Sequence, residues 1–337
     1  GGSQMMAYPT LFFDYDKDDQ RRDVSVCNYG IVLSAKGNKY QMNTYNGMGV
    51  GKYRINWKKE MGATNSKRNI NFPLLRYADV LLMYAEALNE VNNGPTQEAI
   101  NAVKEVRKRA FRGNEAKAAA GIPTNHDDFL TFIQKERKLE LSNEGLRRTD
   151  LTRWGKQYEM LMAAKQRLID LAKRDGEFAN VPVYRAYYLS TTPKFEDPTI
   201  ALSYIDLSQA EVENLGLKAD QISGLKVLNS SSAGKGSVTA DLYEKDGKLY
   251  SEANKPEGAV KQTYTILNMF SIVSIKQKGN LCVEDVTGVS SNNTWITGNS
   301  GVFYGLQKNM TELMPFNTSK ILDVNAGLEG QQHPAYK

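Results

Sequence analysis

Along residues 72–90 the sequence FPLLRYADVLLMYAEALNE sets Leu74, Ala78, Leu81, Ala85 and Leu88 at steps of four, three, four and three, the period of one buried helical face. Leu75, Val80, Leu82 and Met83 widen that stripe until little circumference is left for water, which predicts a helix lying inside a layer of other helices. Arg76, Tyr77 and Glu86 interrupt the apolar run and are predicted to sit in a buried polar network, because polar groups removed from water need partners. A second helix is predicted after GPTQEA, where Pro95 suits a start, Thr96 can cap, and Ala99, Val103, Val106 and Ala110 form the inner stripe. So short a link makes an αα-hairpin of the tetratricopeptide kind, and one such unit cannot bury its own face. A third helix from about residue 126 turns Phe129, Phe132, Ile133 and Leu139 inward. A fourth, beyond Gly145, does so with Tyr158, Leu161, Met162, Leu168, Ile169 and Ala172.

On either side of these helices the pattern changes. Residues 1–71 predict an irregular, loop-rich segment with short strands at best, and NTYNGMGVGKY within it reads as a Gly-rich, mobile loop. Beyond Gly176, VPVYRAYYLS, SGLKVLN, SVTADLYEKDGKLYSEA and KQTYTILNMFSIVSIKQ alternate like strands, with a hairpin turn at Asp246-Gly247. Ser208 and Glu211 make a capping box for one short helix between them. The expected organisation is a loop-rich segment over 1–71, a helical core over 72–177, a β-rich insertion over 178–310 and a tail over 311–337.

Composition narrows the chemistry. The net charge of +5 arises from Lys and Arg interleaved with Asp and Glu along the helices, a solvated pattern that argues against a nucleic-acid partner. Only His126 and His333 are present, and Cys27 and Cys282 stand far apart; no metal centre, histidine triad or cofactor is implied. Asp14, Asp16 and Asp18 alternate as in a calcium loop, but Asp19 stands where that loop needs glycine and Ser25 where it needs glutamate. No run of eighteen apolar residues occurs.

Three blocks then come in a telling order: FPLLRYADVLLMYAEALNE, FIQKERKLELSNEGLRRTDLTRWG over 132–155, and LMPFNTSKILDVNAGLEGQQHPAY over 313–336. Together they resemble the C-terminal half of the SusD/RagB family of surface glycan-binding lipoproteins. In the tail Pro315, Ile321, Asn325, Leu328, Gln332, Pro334 and Tyr336 fit the family pattern, while Phe316, Lys320 and His333 depart from it. DKDDQRRD also resembles the family's D-P-R turn without its proline. The resemblance implies a mainly α fold, a SusD-like helical scaffold of tetratricopeptide type with irregular loops and a β-rich insertion. Within it Arg76, Tyr77, Glu86, Glu140, Glu144, Arg147, Asp150, Arg153 and Trp154 are expected to be structural, together with Glu136 and Arg137, since dense charge on packed helices must pair. The family reaches the RYADVLL helix only after some hundreds of residues, whereas this chain reaches it at residue 72. The chain is therefore expected to be a piece of a longer protein, with an apolar face left exposed on its first two helices.

The function implied by the resemblance is non-catalytic capture of an oligosaccharide or polysaccharide and its delivery to a SusC-like TonB-dependent transporter. The implied place is the cell's outer membrane, facing outward, held by a lipid on an N-terminal portion that this chain lacks. Sugar recognition needs flat rings for pyranose faces and amides for hydroxyls. Two loops offer both: SQMMAYPTLFFDY with Tyr8, Phe12 and Tyr15, and SSNNTWITGNSGVFYG with Asn292, Asn293, Trp295, Asn299 and Tyr304. The competing readings are a protein-interaction scaffold and a glycosidase, the latter needing two carboxyl groups about 5–10 Å apart across a cleft.

Overall fold

The computed structural model describes residues 7–32, 39–54, 71–189, 202–225 and 236–270, with 273–274, 281–282, 303, 306 and 308. In chain order come α1 (Pro9–Asp14), α2 (Arg21–Ser25), β1 (Val26–Cys27), β2 (Tyr29–Val32), β3 (Lys39–Met42) and β4 (Gly49–Val50). The helices α3 (Tyr77–Val91), α4 (Gln97–Ala110), α5 (Glu115–Ala119), α6 (His126–Glu140), α7 (Arg147–Arg153) and α8 (Gln157–Lys173) follow. The last part holds β5 (Tyr184–Leu189), β6 (Leu202–Leu207), α9 (Gln209–Glu213), α10 (Ala219–Leu225), β7 (Ser237–Lys245), β8 (Lys248–Tyr250), β9 (Val260–Asn268), β10 (Val273–Ser274) and β11 (Leu281–Cys282). The chain divides into two units, residues 1–147 with 180–272 and residues 148–179 with 273–337. The division falls inside the stretch expected as one helical core, and it leaves β1 to β9 in the same unit as α3 to α6, with β10 and β11 in the other.

In the first unit α3 and α4 form the expected hairpin. Thr96 accepts a hydrogen bond from Ala99 N at 3.2 Å, and the cap fixes where α4 begins. Ala99, Val103 and Val106 meet Ala78, Leu82 and Ala85 of α3 and Phe129 and Ile133 of α6 in one apolar cluster. Here the structure corrects the reading of α3. Its inner face runs through Ala78, Leu82 and Ala85, while Leu74, Leu75, Val80 and Met83 are exposed. The cause is that α4 and α6 cover one side only among the described residues. Tyr77, expected in a buried network, is 72 % exposed, because it starts the helix on the uncovered side.

The sheet of the first unit has the order β6-β5-β9-β7-β8, all antiparallel. Alternation puts Tyr184, Ala186, Leu207, Leu242, Tyr264 and Ile266 on one face, where Val212 and Leu215 near α9 and Leu225 of α10 cover them. Ser208 and Glu211 form the predicted capping box. Asp246 and Gly247 carry positive φ angles of 51° and 75° between β7 and β8, the twist a two-residue hairpin needs. SGLKVLN was read as a strand, but Ser223, Gly224 and Leu225 end α10, and 226–229 lie outside the described residues. Strand β6 carries no counterpart among the stretches singled out from sequence. It pairs along its whole length with β5.

In the second unit α8 carries Leu168, Leu171 and Ala172 as its buried side, next to the short segment holding the buried Phe178. Arg167 lies over the Phe178 ring, 5.4 Å from its centroid, and bonds Glu177.

Candidate functional site

Glu140, at the C-terminal end of α6, is the most heavily engaged acid of the helical layer. Arg76 Nη1 bonds its Oε1 at 2.6 Å, Arg21 Nη1 bonds its Oε2 at 3.0 Å, and Arg109 also bonds Oε1. One turn earlier Glu136 takes Arg21 and Arg107. Beyond the helix end Glu144 takes Arg76 Nε at 2.6 Å and Lys52. Burial alone would raise these carboxyls, yet arginines around Glu140, and Arg76 with Lys52 at Glu144, outweigh it and hold both below the usual carboxylate range. Lys52 moves down, because burial outweighs its attraction to Glu144. Two of these cations come from the loop-rich segment. Gly51 allows one of them: a Cβ there would meet Val24 O at 2.2 Å, and its own N–H bonds Ser25 O at 2.8 Å. The loop expected to be mobile is thus anchored backbone to backbone, and Lys52 is carried to Glu144.

The aromatic segment 8–15 is tied into the same unit. Phe12 and Tyr15 are both 5 % exposed, which corrects their expected place on a sugar-facing surface. Tyr15 donates to Leu139 O at 2.8 Å and lies 3.0 Å from Ser142 Oγ, and burial pushes its hydroxyl up to about 12. Arg22 and Arg185 lie 4.7 Å and 5.7 Å from the Phe12 centroid. Phe13 meets Tyr45 edge-on at 5.2 Å, and Tyr45 meets Phe270 at 5.1 Å. Tyr8 is half-buried at the start of α1. Asn292, Asn293, Trp295, Asn299 and Tyr304 lie outside the described residues.

On the sheet face opposite its apolar core, Arg185 is 1 % exposed, paired with Asp206 through Nε at 2.6 Å and stacked on Tyr204 at 4.0 Å. Burial pushes the Tyr204 hydroxyl up to about 12. Arg22 bonds both Asp23 and Tyr204, which fastens α2 to this face.

The other structural candidates divide by unit. In the first, Arg137 Nη1 bonds Asp79 at 2.7 Å with both groups buried, Arg147 Nη1 bonds Gln134 O at 3.3 Å, and Glu86 is half-buried. In the second, Arg153 Nε bonds Asp150 at 3.0 Å and its guanidinium lies 4.5 Å from the Trp154 ring centroid. The reading from sequence missed Arg21, Lys52, Asp79, Arg107, Arg109 and Arg185. Only the Asp19-Gln20-Arg21 run, inside the D-P-R-like segment, carried any sign of a role.

The acids of the calcium-like run have local cationic or amide partners: Asp14 has Lys138, Asp16 accepts from Asp18 N at 2.8 Å, and Asp18 has Lys117. Among the described residues no three His, Cys, Asp or Glu side chains are placed to hold a metal ion, and no helix is long and apolar enough to cross a membrane. A glycosidase acid needs a raised pKa, whereas Glu140 and Glu144 are pushed the other way.

Known proteins supply the comparison. SusD-like protein P2 of Formosa agariphila is 32 % identical over 162 residues, 45 % of this chain and 32 % of its own length. SusD-like protein P25 of the same organism is 43 % identical over 82 residues, 24 % of this chain and 15 % of its own. The crystal structure of a SusD homologue from Bacteroides thetaiotaomicron shares 33 % identity over 47 % of this chain and 34 % of that one, with a TM-score of 0.40. NanU of B. fragilis shares 24 % identity over 44 % of this chain and 31 % of that one, with a TM-score of 0.30. The chain thus spans about a third or less of the length of these curated relatives. The sequence profile of the SusD family matches residues 5–225, more than half of the chain, and the chain belongs to that family.

Proposed function

We propose that this chain serves in capturing an oligosaccharide or polysaccharide at the outer face of the cell and delivering it, uncleaved, to a SusC-like TonB-dependent transporter. The observation that carries this reading is the SusD-family match over residues 5–225. Glu140 and Glu144 are taken up by scaffold contacts, so neither is offered as a catalytic acid. For ligand contact we retain Tyr8 and the group Asn292, Asn293, Trp295, Asn299 and Tyr304. Their rings and amides suit pyranose faces and hydroxyls. Phe12 and Tyr15 act instead by holding the 8–15 segment in place. A lipid anchor and the rest of the scaffold would come from an N-terminal portion of a longer polypeptide.

The test is calorimetric titration with a panel of oligosaccharides, followed by chromatography of each sugar. Saturable heat, intact sugar and a roughly tenfold or greater loss of affinity in Trp295→Ala are expected. Cleavage products would turn the assignment to an enzyme. Absence of binding across the panel, by the longer protein as well as by this chain, would overturn the glycan reading. A protein-interaction scaffold is the second reading, and the uncovered apolar side of α3 is the observation that favours it.

A further inference from the structure

Alternation along β7 and β9 puts Thr239, Asp241, Thr263 and Thr265 on the sheet face opposite the apolar core, as two cross-strand pairs, Thr239 with Thr265 and Asp241 with Thr263. Strand geometry sets them at the corners of a rectangle of roughly 7 Å by 5 Å, the footprint of one sugar ring. Both ends of this face are covered. At one, Arg185 is buried against Phe12, and Arg22 fastens α2 to Tyr204. At the other, the turn after β8 comes over the sheet: Tyr243 is buried, its hydroxyl donates to Glu252, and Lys255 Nζ lies 4.3 Å from its ring centroid. Between these ends Thr239, Asp241 and Thr263 are exposed and Thr265 is half-buried, so the four form the floor of a shallow trough. Tyr187, paired with Thr265 across β5 and β9, and Leu189, two residues further along β5 and 57 % exposed, give the trough an apolar flank.

The polar groups of the floor are aligned but only partly used. Thr263 Oγ1 donates to Asp241 Oδ1 at 2.6 Å, and Lys261 Nζ lies 3.1 Å from Oδ2. These contacts, the hydroxyl first, hold the carboxyl below its usual range, so it is an acceptor at neutral pH. A carboxylate oxygen accepts more than one hydrogen bond, and two adjacent sugar hydroxyls can donate to the free positions on Asp241. Thr239 Oγ1 and Thr265 Oγ1 lie 3.4 Å apart; whichever donates to the other, one hydroxyl hydrogen is left for a ligand oxygen. Asp241 and Lys261 cancel, which suits an uncharged ligand, whereas a sugar carboxylate would be set against Asp241. We propose that this trough is a subsite for one neutral sugar unit of the captured glycan, with Asp241 accepting from two adjacent ring hydroxyls and Tyr187 and Leu189 flanking the ring. It rests on the glycan-capture reading and adds a contact surface on the β-rich segment to Tyr8 and the 292–304 group.

The test is nuclear magnetic resonance on this chain with isotope-labelled threonine methyl groups, titrated with neutral oligosaccharides and with uronic-acid oligomers, beside calorimetry on the same samples. Thr239→Val and Thr263→Val assign the two signals that matter. Both signals should shift saturably with a neutral oligosaccharide, in step with the calorimetric binding curve, and the uronic-acid oligomers should bind more weakly. Asp241→Asn keeps the side chain's shape but exchanges one acceptor for a donor. It should weaken neutral-sugar binding by roughly tenfold or more, with an unchanged circular dichroism spectrum because Asp241 is exposed. Asp220→Asn on α10 should leave affinity unchanged. Calorimetric binding with unmoved Thr239 and Thr263 signals, or with Asp241→Asn as tight as the parent, overturns the subsite and leaves glycan capture standing. Tighter binding of the uronic-acid oligomers at the same threonines overturns it as a neutral-sugar site. No heat with any sugar, seen already in the unsubstituted chain and in the longer protein, overturns the subsite and glycan capture together.

Discussion

Where α2, α3, α4 and α6 come together in the first unit, the groups in contact are Arg21, Arg76, Arg109 and Glu140. Across the five-stranded sheet of the same unit, the interior positions are Ala186, Leu242, Tyr264 and Ile266. The sheet closes by apolar alternation under α9 and α10, and needs no particular partner for any one side chain beyond shape. The helical layer has an apolar cluster of its own but adds a charge network at its edge, in which each member depends on the others. A carboxylate buried among guanidinium groups is strongly favoured while they are present and strongly disfavoured when left alone. The difference teaches that a dense run of charged residues on a helix can be as structural as a run of leucines, and more brittle.

Removing the acid at the centre should have the largest effect within the network. Glu140→Ala takes the shared acceptor from Arg76, Arg21 and Arg109, although Arg76 keeps Glu144 and Arg21 keeps Glu136 and Asp19, and should cost about 3 kcal/mol in chemical denaturation. Arg109→Ala should cost under about 1 kcal/mol, because that side chain is largely exposed and two arginines remain on Glu140. Equal losses from the two would mean that the network is not centred on Glu140.

Ile266→Ala should cost about 2–5 kcal/mol through the cavity it leaves. The two regions should then part as pH falls. Glu140 and Glu144 titrate below their ordinary value in the folded protein. Their stabilisation is therefore complete above the unfolded carboxyl value of roughly 4.3 and is lost as pH drops through the lower folded values. Denaturation measured from pH 7 downwards should show the Glu140→Ala deficit shrinking in acid while the Ile266→Ala deficit persists. Parallel loss in both variants would break the contrast.

A small effect is also expected at the sheet's edge. Ser208→Ala removes the hydroxyl that accepts from Glu211 N at 3.2 Å and should cost about 1 kcal/mol, read as a small fall in thermal midpoint. No fall would show that α9 is held by Val212 alone.

Much of this was legible in the residues. The α3–α4 hairpin, the Thr96 cap, the Ser208–Glu211 box and the Asp246-Gly247 turn are decided by near neighbours in sequence, and each formed as read. The need of Arg76, Glu140 and Glu144 for partners was also legible, because charge on a packed helix admits no other resolution. The partners were not. Arg21 and Glu140 are separated by 119 residues and Lys52 and Glu144 by 92, and no local period records such a meeting. The same holds for the aromatic rings. Phe12 and Tyr15 were read as sugar-facing rings and Tyr77 as a buried one, but exposure depends on what packs over each. Leu139 and Ser142 lie on Tyr15, and nothing among the described residues buries Tyr77. Sequence by itself determined the long helices α3, α4, α6 and α8, the strands β5, β7 and β9, and which residues could not be left unpaired. Tertiary structure alone decided which face of α3 is covered and which cations meet which acids, since burial and pairing are properties of the assembled layers and not of any one segment.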